Sequence, residues 1–228
     1  KPCGLLDQMT SAVGTFVTID FKSTSEPVIK KINVDFNSFG YSLCIVDTGG
    51  SHSDLTDDYA AVRSEMESVA KAMGHNVLRE ISYDDFKAKL PELYASEEVN
   101  DRALLRAIHF YNENMRVDNA VEALENNDFE TFKKIIVESG FSSYMYNQNV
   151  YTPKNPLEQK LSLALAVTQE ILDGKGAYRV HGGGCAGTIQ AFVPNDILSE
   201  YKEKIESIFG EGKCYVLSIR PVGGVKVL

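Results

Sequence analysis

The fold class is indicated most clearly by residues 177–193, which read AYRVHGGGCAGTIQAFV. Two runs with strand-forming residues flank residues 182–187, and four of these six residues are glycine. Glycine adopts positive φ without steric cost, and glycine clusters between strands mark tight turns. The stretch therefore predicts two strands, at 177–181 and 188–193, joined by a glycine turn.

The same turn is a candidate binding site. Consecutive backbone N–H groups in a glycine turn can form a nest for an anion, which makes Gly182, Gly183 and Gly184 candidates for phosphate binding. The alternative is a tight hairpin connection that binds nothing. The turn is not a Walker A loop, because no Gly-Lys-Ser/Thr follows, and it does not match the pattern GxGxxG.

Outward from the turn, hydrophobic periodicity predicts the other elements. Further strands are expected at 15–21, 32–36, 41–46, 213–219 and 224–228. Helices are expected near the N-terminus and at 59–73, 100–125, 129–136, 157–172 and 196–209, with Asp128 as an N-cap. Strands first, helices in the middle and a β-turn-β-α-β-β tail predict an α+β fold, with an antiparallel sheet and helices packed on one face.

Composition excludes several classes of protein. The 228 residues are 43% apolar and 24% charged, which is ordinary for a globular chain, and no repeat or linker divides them. No apolar run reaches the roughly 18 residues of a membrane span. The net charge is −9 and the Lys and Arg residues are scattered, whereas a nucleic-acid binder carries a basic face. We therefore expect one compact unit that binds neither membrane nor nucleic acid.

The cysteines indicate the compartment. Cys3, Cys44, Cys185 and Cys214 include no CxxC pair, and Cys44 and Cys214 lie in apolar, strand-like runs. Free thiols in a reducing cytosol fit this pattern better than a disulfide or a zinc site. We expect a cytoplasmic protein without a metal site in these residues.

A carboxylate near the N-terminus is a second candidate functional group. Residues 3–9 read CGLLDQM and place Asp7 in an apolar segment. Taken alone, the segment favours a helix whose first turn carries a negative charge. The alternative is a functional carboxylate, which could accept the proton of a sugar hydroxyl during phosphoryl transfer.

Several segments resemble those of one enzyme family. Residues 3–9 resemble the segment of galactokinases that carries the catalytic aspartate, and residues 182–187 resemble the third motif of their superfamily, the GHMP small-molecule kinases. Three more segments are similar and occur in the family order: Tyr59–Arg63 (YAAVR), the long helix with His109, Glu113 and Arg116, and residues 220–226 (RPVGGVK). Together these segments extend along nearly the whole chain.

The resemblance implies roles for individual residues. Asp7 would be the catalytic base, or would orient the C1 hydroxyl of the sugar, and the backbone of Gly4 would contact the sugar. Tyr59 would hydrogen-bond a ring hydroxyl or pack on the sugar, although a core residue at a helix start is the alternative. Gly182, Gly183 and Gly184 would lie near the ATP phosphates. We interpret His109 and Arg116 as structural, and we expect Arg179 to form an ion pair rather than a phosphate contact.

The chain departs from the family pattern in two places. His181 replaces a usual threonine and Ala186 a usual glycine, both beside the glycine turn. Residues 139–158 differ from the family's Ser-His-x-Ser-Leu-x-x-Asp-Tyr run. These departures suggest a divergent subgroup with altered sugar preference.

The first two family motifs are absent from the sequence, and the chain begins at Lys1 without methionine. The resemblance therefore implies that residues 1–228 are a GHMP kinase C-terminal domain, with the N-terminal ATP- and sugar-binding domain missing. That domain would bind most of the ATP and Mg²⁺, so we expect the fragment alone to be inactive. The full-length parent would phosphorylate the anomeric hydroxyl of galactose.

Two alternatives remain open for the parent: a non-catalytic galactose and ATP sensor, or a kinase of another sugar of the fucose or N-acetylhexosamine type. The expected partners are the sugar, ATP and the protein's own N-terminal domain. Without that domain, an exposed apolar surface is expected to make the fragment self-associate.

Overall fold

The computed structural model describes residues 5–23, 25–50 and 55–225. In these residues the α-helices are α1 (Leu6–Val13), α2 (Thr56–Ala72), α3 (Tyr83–Ser96), α4 (Asp101–Glu125), α5 (Phe129–Ser142), α6 (Lys160–Leu172) and α7 (Leu198–Phe209). The strands are β1 (Phe16–Asp20), β2 (Val28–Ile32), β3 (Tyr41–Asp47), β4 (Ala177–His181), β5 (Thr188–Pro194) and β6 (Cys214–Leu217). A π-helical turn, Ser143–Asn147, follows α5.

The strands form two antiparallel sheets. A four-stranded sheet has the order β4-β5-β3-β6, and β1 pairs with β2 in a separate hairpin. The pair β4–β5 has Val180 opposite Ile189 and His181 opposite Thr188, so the predicted strand–glycine turn–strand unit is confirmed. β3 lies inside the sheet, between β5 and β6, as expected for a central strand.

The main core lies between the four-stranded sheet and α6 and α7. Ile189, Ala191 and Val193 alternate along β5 and are fully buried in one cluster with Leu161 and Tyr201 of these helices. Phe192 belongs instead to a second cluster, which contains an aromatic group with Phe36, Phe129 and Phe132. The predicted α+β fold with an antiparallel sheet and packed helices is confirmed. The expectation that the helices lie on one face needs correction, because α6 and α7 pack on the face of Ile189, whereas the N-terminal end of α5 packs against Phe192 on the opposite face of β5.

A third cluster joins α2, α3 and α4. Val69 of α2, Phe86 of α3 and Ala103 of α4 are fully buried there. The ring of Tyr111 stacks on that of Tyr83 with centroids 4.9 Å apart, and its hydroxyl donates to the carbonyl oxygen of Leu78. This packing fixes α2, whose first turn carries Tyr59.

Most of the predicted elements are present. The long helix at 100–125 is α4, and the predicted Asp128 cap is confirmed, because its carboxylate accepts a hydrogen bond from the N–H of Thr131 at 3.0 Å. The boundaries at 157 and 196 were too early by a few residues, since α6 begins at Lys160 and α7 at Leu198.

Two expectations for the strands need correction. The strand predicted at 32–36 is wrong: β2 ends at Ile32, opposite Phe16, and the chain then turns as the carbonyl of Asp35 accepts hydrogen bonds from Ser38. The C-terminal strand predicted at 224–228 is not formed by Gly224 and Val225, and residues 226–228 lie outside the described residues. Helix α3 was not predicted.

None of the helices in the described ranges combines the length and the apolar character that crossing a membrane requires.

Candidate functional site

Asp7 lies in the first turn of α1 and is exposed to solvent. Leu5, the N-cap residue of α1, provides no side-chain hydrogen bond to the free N–H groups at this end of the helix. A carboxylate in the first turn is favoured by the helix dipole, which accounts for the local choice of an acidic residue. Gly4, the predicted backbone contact of the sugar, lies outside the described residues.

The structure brings Asp7 into the electrostatic environment of the glycine turn. His181 is the last residue of β4, and its Nδ1 lies 3.1 Å from Oγ1 of Thr188, the first residue of β5. Burial lowers the pKa of His181, Arg179 lowers it further, and the Asp7 carboxylate raises it. The Asp7 carboxylate is thus one of the charged groups that act on the first residue before this turn.

The backbone of the turn requires glycine at two of the candidate positions. Gly182 and Gly184 have φ of 71° and 78°, where other residues are strained. Within the described part of the chain, the N–H groups of Gly182 and Gly183 donate no hydrogen bond. The turn therefore offers consecutive exposed donors, which is the arrangement that binds phosphate oxygens.

Tyr59 packs directly on this turn. A Cβ atom at Gly183 would lie 2.9 Å from Cε1 of Tyr59, so the ring fits closely against the glycine. The Tyr59 hydroxyl donates to the carbonyl oxygen of Gly184 at 2.9 Å. Partial burial of the ring raises the pKa of Tyr59. Tyr59 thus lies at the site and forms one side of the turn, and it is not only a residue of the hydrophobic core.

Asn149 supports the turn and was missed in the sequence. Its backbone oxygen accepts a hydrogen bond from the N–H of Cys185 at 2.6 Å, and its Nδ2 donates to the oxygen of Gly183 at 3.2 Å. A Cβ at Gly184 would lie 1.8 Å from the same backbone oxygen, so the backbones of these two segments are in direct contact. Within the described residues, its buried Oδ1 has no hydrogen-bond partner. The sequence feature that could have pointed to Asn149 is the departure of residues 139–158 from the family pattern.

A buried ion-pair network holds the segment that leads to Asn149. Nε of Arg106 donates to the backbone oxygen of Asn147 at 3.0 Å, and its Nη1 lies 2.8 Å from Glu65. The Arg106 side chain is only 4% exposed, and Arg102 binds the same carboxylate. Burial lowers the pKa of Arg106, while Glu65 raises it. The network links α2 and α4 to the loop beneath the glycine turn.

The residues interpreted as structural have structural partners. Nη1 of Arg179 forms the predicted ion pair with Glu113 at 3.2 Å, and Arg116 binds the same carboxylate at 2.9 Å. Nδ1 of His109 lies 2.9 Å from Oγ of Ser142, and burial lowers the pKa of His109 to about 4. The ion pair predicted for Arg179 is confirmed, and the structural roles of His109 and Arg116 stay predictions, with which these contacts agree.

The donor set suits a phosphate better than a metal ion. Mg²⁺ prefers several oxygen ligands in octahedral geometry. No group of three or more His, Cys, Asp or Glu side chains in the described residues could hold a metal ion. Adjacent N–H donors in a glycine turn instead match the oxygens of a phosphate group.

The sequence was compared with known proteins. No family model matches the chain. A galactokinase of Glaesserella parasuis serovar 5 is 31% identical over 212 residues, which cover 90% of this chain and 48% of that protein. A galactokinase of Haemophilus influenzae (strain KW20 / Rd) is 30% identical over 209 residues, which cover 89% and 50%. The chain spans about half the length of the curated relatives it matches.

The fold is similar to solved structures. The crystal structure of Lactococcus lactis galactokinase complexed with galactose matches with a TM-score of 0.75 at 19% identity, over 100% of this chain and 57% of that chain. L. major mevalonate kinase in complex with R-mevalonate matches with a TM-score of 0.53 at 15% identity, over 96% and 53%. The resemblance to galactokinases and the GHMP kinase fold are therefore confirmed.

Proposed function

We propose that the protein, at its natural length, is a galactokinase-type sugar 1-kinase that transfers the γ-phosphoryl group of ATP to the anomeric hydroxyl of galactose. Residues 1–228 would form its C-terminal domain, and a preceding N-terminal domain would complete the active site. The observation that carries the proposal is the similarity to galactokinases over 90% of the chain, and the glycine turn, which Tyr59 supports through Gly183 and Gly184, agrees with it. The free thiols of Cys44, Cys185 and Cys214 support a cytoplasmic location.

Each predicted residue has a defined task in this reaction. Asp7 accepts the proton of the anomeric hydroxyl, whose oxygen then bonds to the γ-phosphorus as the bond to ADP breaks. The N–H groups of Gly182, Gly183 and Gly184 bind phosphate oxygens. Tyr59 supports the turn and contacts the sugar, and the backbone of Gly4 contacts the sugar as well.

ATP supplies the phosphoryl group, and Mg²⁺ neutralises phosphate charge in transfers of this kind. We assign the Mg²⁺ ligands and most ATP contacts to the N-terminal domain.

The test is Asp7→Asn in the protein at its natural length. Loss of the general base should lower kcat for galactose phosphorylation by about 10²- to 10⁴-fold, as measured by coupled ADP release. The matched control is Asp84→Asn, because Asp84 is also the second residue of its helix and lies in the exposed first turn of α3. We expect the control to keep wild-type turnover.

Other outcomes would point to the alternative functions. Unchanged turnover in Asp7→Asn would remove the catalytic role of Asp7. A protein that binds galactose and ATP but releases no ADP would be a sensor. Activity on fucose or an N-acetylhexosamine, without activity on galactose, would replace the proposed substrate.

A further inference from the structure

Helix α1 is weakly attached to the rest of the described structure. It has eight residues, and none of them is buried. An isolated helix of this length is not stable in water, where roughly 12–15 residues are needed even for favourable sequences. A helix that positions a catalytic carboxylate must nevertheless hold one orientation, so other contacts must fix it.

Residues 220–224, which we call the clamp segment, provide these contacts. The N–H of Thr15 donates to the oxygen of Arg220 at 2.8 Å, and the N–H of Gly224 donates to the oxygen of Ala12 at 3.1 Å. Nη2 of Arg220 reaches the oxygen of Ser11 at 3.4 Å. The last carbonyls of α1, which have no partner within the helix, are thus bound from outside.

Two glycines allow the backbones to touch. Gly14 has φ of 71°, and a Cβ there would lie 2.3 Å from the nitrogen of Gly223. A Cβ at Gly223 would lie 1.9 Å from the oxygen of Ala12. Neither overlap can be relieved by a side-chain rotation, because both involve backbone atoms. Any other residue at position 14 or 223 would push α1 and the clamp segment apart.

Gly224, the next residue, differs from Gly223 because it has room for a side chain. Gly224 has nothing within 4 Å of a Cβ position, and its φ lies outside the range that favours glycine. An alanine at position 224 would also keep the N–H that donates to Ala12. Gly224→Ala is therefore a control substitution within the clamp segment.

We infer that Gly14 and Gly223 are positioning residues: their backbone contact holds α1, and with it the Asp7 carboxylate, in one orientation. This inference rests on the proposed function. The clamp segment contributes no side chain to the reaction and acts only through the helix.

The experiment compares Gly223→Ala and Gly14→Ala with Gly224→Ala in the protein at its natural length. Hydrogen exchange is followed by mass spectrometry in peptides from α1 and, as a reference, from α4. We expect exchange in α1 to be at least about fivefold faster in Gly223→Ala and Gly14→Ala, with α4 unchanged. Gly224→Ala should match the wild type in both helices.

Kinetics separate positioning from a general loss of structure. Displacement of Asp7 should lower kcat for galactose at least about tenfold in Gly223→Ala, while the KM for ATP stays within about twofold. Gly224→Ala should retain the wild-type kcat. If kcat falls equally in Gly223→Ala and Gly224→Ala, or falls in neither, the positioning role is wrong.

The inference can also be tested if Gly223→Ala does not fold or if the wild type has no kinase activity. If Gly223→Ala does not fold, Gly14→Ala decides alone, because a Cβ at Gly14 overlaps the backbone at Val222 and Gly223. Exchange in α1 at the wild-type rate in Gly14→Ala would then refute the clamp. If the wild type has no kinase activity, the proposed function fails, yet the exchange data still decide whether residues 220–224 hold α1.

Discussion

Burial controls the ionisation of His109. Its side chain lies beside Ser142, and burial lowers its pKa from the ordinary value of 6.5 to about 4. The carboxylate of Glu113 opposes this shift, and Arg179 and Arg116 add to it. Between these two pH values the unfolded chain binds a proton at His109 and the folded chain does not.

Stability should consequently fall as the pH falls. The unfolded state binds more protons in this window, so His109 alone should reduce the free energy of unfolding by about 2 kcal/mol between pH 7 and pH 5. His109→Gln should remove that part of the pH dependence, measured by urea unfolding at both pH values. His75→Gln, at an exposed histidine, should leave it intact; equal pH dependence in the wild type and His109→Gln would contradict the prediction.

Residue roles could be predicted from the sequence where a short motif carries them. Asp7 and Gly182–Gly184 lie in local motifs, so the sequence alone leads to a prediction of their roles, and these roles stay predictions. Asn149 was not predicted because its role depends on a side-chain amide and a backbone oxygen that contact residues 34 and 36 positions away. No local pattern encodes such a contact.

The glycine turn is an element whose positions differ in tolerance. Gly182 and Gly184 both have positive φ, but a Cβ at Gly182 has open space and a Cβ at Gly184 would overlap Asn149. Gly182→Ala should lower the free energy of unfolding by about 1–2 kcal/mol, from backbone strain alone. Gly184→Ala should cost a further ~2–3 kcal/mol from the overlap.

Thermal unfolding followed by circular dichroism measures the difference between these two variants. The comparison controls for the loss of glycine, since both substitutions add the same methyl group at positive φ. Similar melting temperatures for the two variants would show that Asn149 moves away freely, and would argue against its support of the turn.

Among the elements, strong hydrophobic periodicity predicted the long helices correctly. The errors occurred where a proline or a run of exposed residues interrupts the expected pattern. Helix α4 matched its prediction because 25 residues repeat the helical pattern without interruption. Helix α3 contains Pro91, which normally breaks helices, although Ser82 caps its start by accepting a hydrogen bond from the N–H of Asp85. β2 was misplaced because four of its five residues are exposed, so no alternation marks it.

At the scale of the whole molecule, an edge of the main sheet is exposed. β6 is the last strand in the sheet order, and Tyr215, Val216 and Leu217 are each 45–49% exposed. Leu5 and Leu6 at the start of α1 are also exposed. Unpaired strand edges with apolar side chains favour association.

The 228-residue chain on its own should therefore self-associate. Sedimentation velocity should show a mass that rises with concentration, whereas the protein at its natural length should be less prone to associate because the proposed N-terminal domain covers these residues. A chain that sediments as a monomer up to about 100 μM, a range in which incompletely covered apolar surface promotes aggregation, would contradict the prediction.

The clamp on α1 also has a consequence during protein synthesis. Ser11 and Arg220 are 209 positions apart, so α1 leaves the ribosome long before the segment that fixes it. At roughly 5–20 residues per second, the delay is about 10–40 s. During this time the nascent chain carries Asp7 on a helix without its tertiary support. The orientation of α1 is therefore fixed only after residues 220–224 have been synthesised.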